Sequence, residues 1–318
     1  MIGLISNPNS GHNRDQFQRL SQLLDAQPNI IHCITESSRQ IPAALEQLRR
    51  QPIEALAING GDGTLSATLG HALENRVFDK LPPVVVLPGG TANMSAGDVG
   101  VRGALSAAVT RLCAWSKGKA PESRRIQRVM MRVCVEPDSR PHYGMFLGAG
   151  AVIQGTEYAH RELHSRGLRD EFSVALGALR TLWGVVRRDG QFRRAVDVNL
   201  HLQEWSGWDR HRTLILAVSS LHRLFMGIDP FWGEGPGALR VSVIENDCRR
   251  FLRAFPSIAR GRPNRLARPE NGYFSYNTDH ITLQIDSAFN LDGEILYGSD
   301  ADGTVTISAS EPITFLRL

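Results

Sequence analysis

The chain has 318 residues, 42% hydrophobic and 21% charged, with a formal net charge of +4. This composition excludes fibrous, low-complexity and disordered chains, and the length predicts about two domains, each able to bury its own core. Four scattered cysteines, Cys33, Cys113, Cys134 and Cys248, form no CxxC pair. That pattern argues against a zinc site or a disulfide framework and fits a reducing cytosol.

In the first half, apolar strands alternate with amphipathic helices. Ile2 to Ser6 is a short apolar strand, followed by the turn Asn7-Pro8-Asn9-Ser10-Gly11 and a helical stretch carrying Phe17, Leu20, Leu23 and Leu24. Ile30 to Ile34 predicts a second strand, and Ile41, Ala44, Leu45 and Leu48 fall on one face of a helix. Ile53 to Ile58 predicts a third strand, ending in Asn59-Gly60-Gly61-Asp62-Gly63-Thr64, and Leu65, Leu69, Ala72 and Leu73 share a helical face after it. Val84 to Leu87 is uniformly apolar, as a strand buried on both faces should be, and ends in Pro88-Gly89-Gly90-Thr91-Ala92-Asn93. Such alternation predicts a parallel, helix-covered sheet with ligands at the carboxyl ends of its strands.

After about residue 125 the pattern becomes strand-rich. Runs at Val129 to Val135, Ala195 to Leu202, Thr213 to Val218, Leu239 to Ile244 and Ile281 to Ile285 are separated by turn-rich segments. They predict an antiparallel β-sandwich. A helical stretch from Glu157 to Val186 interrupts them, and Asp302-Gly303 signals a late hairpin. The expected division is an α/β domain over 1–125 and a β-sandwich domain over 126–318, with the last strand able to return to the first domain.

Three glycine-bearing loops, 7–11, 59–64 and 88–93, each follow a first-half strand, so one parallel sheet brings them to a single edge. Glycine permits close backbone approach, and a helix N-terminus offers unpaired N–H groups, a combination suited to a polyphosphate. Asp62 stands among three glycines at a helix start, where its carboxylate could hold a metal bridging phosphates or simply cap the helix. The only lysines are Lys80, Lys117 and Lys119, none in a strand–glycine–helix setting, and GxxxxGK[ST], HRD and DFG are absent. Phosphoryl transfer here would use glycine loops and metal without a loop lysine.

These loops, in this order and spacing, together with the later Leu291-Asp292-Gly293-Glu294, resemble the diacylglycerol kinase catalytic-domain family, which includes bacterial lipid kinases and sphingosine kinases. The resemblance implies Mg-ATP bound in a cleft between an N-terminal α/β domain and a C-terminal β-sandwich, and transfer of the γ-phosphate to a lipid hydroxyl. It implies that Asn7, Ser10, Gly60, Gly61, Gly63, Thr64, Gly89, Gly90, Thr91 and Asn93 bind the nucleotide. Asp62 would act through magnesium and the phosphates, and Glu294 would be the general base. Read without the family, Asp292-Gly293 is a hairpin turn with a solvated Glu294.

The chain departs from the family pattern in three places. Ser66-Ala67 stand where Asn-Glu is usual, Met94 and Gly97 replace the usual Asp and Arg near the third loop, and Gly235 to Arg240 carries no carboxylate where some bacterial members have a magnesium site. A nucleotide- or lipid-binding pseudokinase is therefore one alternative reading. A kinase for a soluble acceptor such as NAD is another, through the shared Gly-Gly-Asp-Gly-Thr loop.

MIGLISNPNS lacks the features of a signal peptide, and no apolar run approaches the ~20 residues that span a bilayer. The expectation is a cytoplasmic protein that meets the inner membrane face peripherally. Between Arg249 and Arg268 lie seven arginines and no acid, interleaved with Phe251, Leu252, Phe255 and Ile258, which suits either an anionic lipid surface or an ordinary solvated face. No nucleic-acid recognition motif is present. His160 and His164, at i and i+4, are a metal pair or a surface pair.

Overall fold

The computed structural model describes residues 1–118, 123–137, 140–153, 195–298 and 303–318. The expected helical stretch over 157–186, the pair His160 and His164, and Asp302 lie outside these residues. The chain divides into two compact units, one of residues 1–128 with 312–318 and one of residues 129–311.

In the first unit, β1 (Ile2–Ser6), β2 (Ile30–Ile34), β3 (Ala55–Gly60) and β4 (Val84–Pro88) pair in parallel in the order β2-β1-β3-β4. The C-terminal strand (Ile313–Arg317) lies parallel to β4, and β5 (Arg124–Arg128) closes the edge antiparallel to it. β1 and β3 are buried along their whole length, because helices cover both faces. The helices are α1 (Phe17–Asp25), α2 (Ile41–Arg49), α3 (Asp62–Glu74), α4 (Met94–Val99) and α5 (Leu105–Ser116). Alternate strand residues Ile2, Leu4, Ala55, Ala57, Val85 and Leu87 pack with Leu20 and Leu24 of α1 and Leu105, Val109 and Leu112 of α5. On the opposite face Gly3 admits Leu48 of α2 so closely that a Cβ would sit 3.0 Å from its methyl. Ile41, Ala44, Leu45 and Leu48, the stripe expected for α2, are its buried residues.

Asp98, near the end of α4, ties that helix to the sheet edge. Its carboxylate pairs with Arg128 of β5 at 2.8 Å, the two side chains only 5% and 13% exposed, and its backbone carbonyl accepts from Arg317.

The second unit contains β6 (Met131–Val135), β7 (His142–Gly144), β8 (Phe146–Gly150), β9 (Val196–Leu202), β10 (Asp209–Ser219) and β11 (Leu239–Glu245). After α6 (Phe251–Ile258) come β12 (Tyr273–Thr278), β13 (His280–Ile285), β14 (Ala288–Leu291), β15 (Glu294–Tyr297) and β16 (Thr304–Ala309). All pairings between these strands are antiparallel. The long β10 organises the unit. Its first half, Asp209–Thr213, pairs with β9, its second half lies between β8 and β11, and the register shifts between Thr213 and Ile215. A bulge of this kind lets one strand serve two layers. One layer runs β15-β14-β8-β10-β11-β12 and the other β10-β9-β13-β16-β6-β7. Their inward residues form one core, with Leu216, Val241 and Phe289 from the first meeting Leu200, Ile281 and Ile307 from the second. The expected antiparallel sandwich is thus built from one continuous, folded sheet.

Candidate active site

The loops after β1, β3 and β4 meet at the carboxyl edge of the parallel sheet. Asn7 joins the first two: its Nδ2 donates to Thr64 Oγ1 at 3.1 Å and its backbone N–H to the Asn59 carbonyl at 2.9 Å. Ser10 Oγ donates back to the Asn7 carbonyl at 2.9 Å. Asn13, fully buried, holds all three loops. Its Nδ2 donates to the Asn7 carbonyl at 2.7 Å and lies 3.2 Å from the Asn59 carbonyl, and its N–H reaches the Gly89 carbonyl. Nothing in the sequence pattern marks Asn13, because a lone Asn before a helix reads as surface.

The third loop sits on the other two at backbone contact distance. A Cβ on Gly90 would lie 2.4 Å from Gly61 Cα, and one on Gly11 would lie 2.5 Å from Thr91 Oγ1. Asn93, at φ +48, closes the Gly90 turn: its Oδ1 accepts the Gly90 N–H and its Nδ2 donates to the Gly90 carbonyl, both at 2.8 Å. The same Nδ2 lies 3.2 Å from His12 Nδ1.

Asp62 opens α3, yet its carboxylate caps a different helix. Oδ1 accepts the Ser95 N–H at 2.8 Å and Oδ2 the Met94 N–H at 3.1 Å, so both oxygens bind the start of α4. Beyond a cap or a metal ligand, this carboxylate couples the second loop to the third.

Between the loops lies a cavity of about 370 Å³. Asn7, Ser10, Gly61, Gly63, Thr64, Gly90 and Thr91 line it. Of the other expected residues, Gly60 backs onto Thr64, Gly89 is wedged between Asn59 and Asn13, and Asn93 braces the turn, so these three support the wall from behind. A further wall comes from Thr35, Ser37 and Ser38 after β2, with Ile41 and Ala67. That segment contains no glycine and was not singled out. No lining residue is charged, and Asp62 is not among them. The first turn of α3 leaves the N–H groups of Asp62 and Gly63 without an intrahelical acceptor, at the positive end of a helix dipole. A neutral, hydroxyl-lined cavity of this kind can hold polyphosphate through N–H and O–H donors. Among the described residues no three His, Cys, Asp or Glu side chains cluster to hold a metal. A single carboxylate beside the cavity fits magnesium only if a ligand's phosphates share it, and does not fit a cage made by protein alone.

In the second unit Glu294 begins β15 and is exposed. Asp292 and Gly293, at φ +48 and +97, form the two-residue turn joining β14 to β15, with Leu291 opposite Glu294. Asp292 also fastens this hairpin to β8, its carboxylate accepting the Met145 and Phe146 N–H groups at 2.8 and 2.9 Å. Asp292→Ala should therefore cost about 2–4 kcal/mol, from two lost charge-assisted bonds and a strained left-handed Ala. Urea denaturation checks this, and a loss no larger than that of a surface substitution would refute the clamp.

At Gly235 to Arg240, where no carboxylate was found, Arg240 reaches inward. It pairs with Asp229 at 2.8 Å, donates to the Phe231 carbonyl at 3.1 Å, and stacks 4.9 Å over the Phe231 ring. A side-chain cation thus fixes the preceding loop.

Residues 1–120 match the model of the diacylglycerol kinase catalytic domain. No curated protein matches the chain. Among solved structures it is similar to a chain from Bacillus anthracis str. Sterne provisionally described as a diacylglycerol kinase, at 15% identity and TM-score 0.66, covering 100% of this chain and 95% of that one. A second, described as a diacylglycerol kinase from the same organism, aligns at 15% identity and TM-score 0.61, covering 100% and 96%. At such identities the likeness establishes the fold.

Proposed function

We propose, taking residues 1–120 as a diacylglycerol kinase catalytic domain, that this chain transfers the γ-phosphate of ATP to a hydroxyl of a lipid. The observation that carries the reading is the meeting of three glycine loops around one neutral cavity at the N-terminus of α3. In this reading the phosphates lie against the α3 N–H groups and the hydroxyls of Ser10, Thr64 and Thr91. The base and ribose lie toward Thr35, Ser37, Ser38 and Ile41. Magnesium, when bound with the nucleotide beside Asp62, would neutralise phosphate charge. Asp62 holds the third loop in register through α4, so Gly90 and Thr91 meet the phosphates in one geometry. Phosphoryl transfer is governed by such positioning and charge stabilisation. Glu294 is the proposed base toward the acceptor hydroxyl, and its carboxylate forms no hydrogen bond or ion pair with the described residues that would compete.

The lipid class of the acceptor rests on the family. A nucleotide-binding protein without turnover is the second reading, favoured by the engagement of both Asp62 oxygens with α4 and by Ala67 in the cavity wall. Incubation with γ-labelled ATP, magnesium and detergent-dispersed diacylglycerol, phosphatidylglycerol, sphingoid base and polyprenol, with NAD as a soluble acceptor, tests the assignment. Label in a lipid supports it, and label in NAD alone replaces the acceptor. No label in any acceptor despite ATP binding establishes the second reading.

A further inference from the structure

We propose that the segment from Asp247 to Glu270 is the face by which this protein docks on an anionic lipid bilayer. Seven arginines, 249, 250, 253, 260, 262, 265 and 268, are all exposed, and none forms an ion pair among the described residues. The only acids in the segment are Asp247 and Glu270 at its ends, which leaves five net positive charges. The whole chain carries +4, so the remaining residues are net negative by one: the positive excess of the protein resides here.

The charges sit on a fixed base. In α6, Ala254 and Ile258 are buried against Tyr273, Ala267 and Ile244, with Phe251 packed alongside. The Tyr273 hydroxyl donates to the Arg249 carbonyl at 2.8 Å, and the Arg249 N–H donates to Asn271. The outward face of the same helix presents Leu252, 59% exposed, beside Arg253 and Pro256. An exposed leucine on a segment whose arginines form no ion pair among the described residues matches a headgroup layer, which takes an apolar side chain at acyl depth and guanidinium groups at its phosphates. RNA recognition would call for exposed aromatics where Phe251 and Phe255 are partly buried.

This names the surface on which the proposed lipid kinase would work, and binding is read without turnover. Flotation of the full chain with phosphatidylcholine vesicles, and with vesicles also containing phosphatidylglycerol, is the experiment. The expected result is capture only by the anionic vesicles, lost in high salt. The triple variant Arg249→Gln, Arg253→Gln, Arg265→Gln should bind roughly a hundredfold more weakly, at about fivefold per charge removed. Leu252→Ser should weaken capture further. Phosphorylation of detergent-dispersed lipid by the triple variant should equal that of the wild type, so failure of docking and failure of the kinase reading are separable. Equal capture by neutral vesicles, unchanged capture of the triple variant, or retention by single-stranded RNA with none by anionic vesicles would overturn the proposal.

Discussion

Asp62→Ala is expected to lower kcat by roughly 10²–10³-fold, the scale of losing one preorganised electrostatic group from a reaction centre. Two effects combine in this residue. Removing the carboxylate takes a metal-side ligand from the proposed Mg-ATP site, and it strips the Met94 and Ser95 N–H groups of their acceptor. The second loss costs about 1–3 kcal/mol per group where water cannot replace it, and it releases the third loop from the second. Steady-state kinetics separate the two. If Asp62 served α4 alone, the variant would show a raised KM for ATP and a lower melting temperature, with kcat at saturating ATP preserved. That outcome would remove Asp62 from the chemistry.

Asp98→Ala is expected to cost about 3–5 kcal/mol, the usual penalty for breaking a buried ion pair from one side. Arg128 would be left almost fully buried without its partner at the edge between β5 and the C-terminal strand. Arg317 stands in the same cluster. Burial first, and then Arg102, Arg124 and Arg128, already hold its guanidinium below the ordinary arginine range, with Asp98 the one group opposing them. Guanidinium denaturation measures the loss, and adding Arg128→Met to the variant should recover part of it, because an apolar side chain needs no counter-charge. A loss under about 1 kcal/mol would mean the pair behaves as an exposed one.

Periodicity made the parallel half legible. The α2 stripe names the buried residues of that helix, and β1 and β2 begin and end where their apolar runs do. The glycine loops were visible because glycine at the end of an apolar strand has few other uses. The supporting polar residues were not: Asn13 acts through contacts to residues as distant as Gly89, and Thr35, Ser37 and Ser38 resemble any polar loop. In the second half, a single strand was expected over 129–135. The structure starts β6 at Met131 and places β5 before it, where three arginines in five residues conceal an edge strand. β8 ends in Leu-Gly-Ala-Gly and β10 opens with Asp-Arg-His-Arg, so neither shows its full length by hydrophobicity, and the bulge that joins the layers has no sequence mark. Asp292-Gly293 signalled its turn, while the grip of Asp292 on β8 depends on a strand about 145 residues earlier in the chain.

In the proposed reading ATP occupies the cavity at the start of α3, and Gly63 tests that occupancy without touching the fold. A Cβ on Gly63 meets no atom within 4 Å, although Gly63 lines that cavity. Gly63→Ala should therefore stabilise the helix by about 0.5–1 kcal/mol. The same methyl would press on a bound nucleotide at a cost of about 1–3 kcal/mol, and so weaken ATP on the order of tenfold or more. Calorimetric titration of Mg-ATP into the wild type and Gly63→Ala is the measurement. A variant that melts higher yet binds ATP more weakly is the predicted result. A wild type that binds no ATP, or a variant that binds it as tightly as the wild type, would contradict the claim.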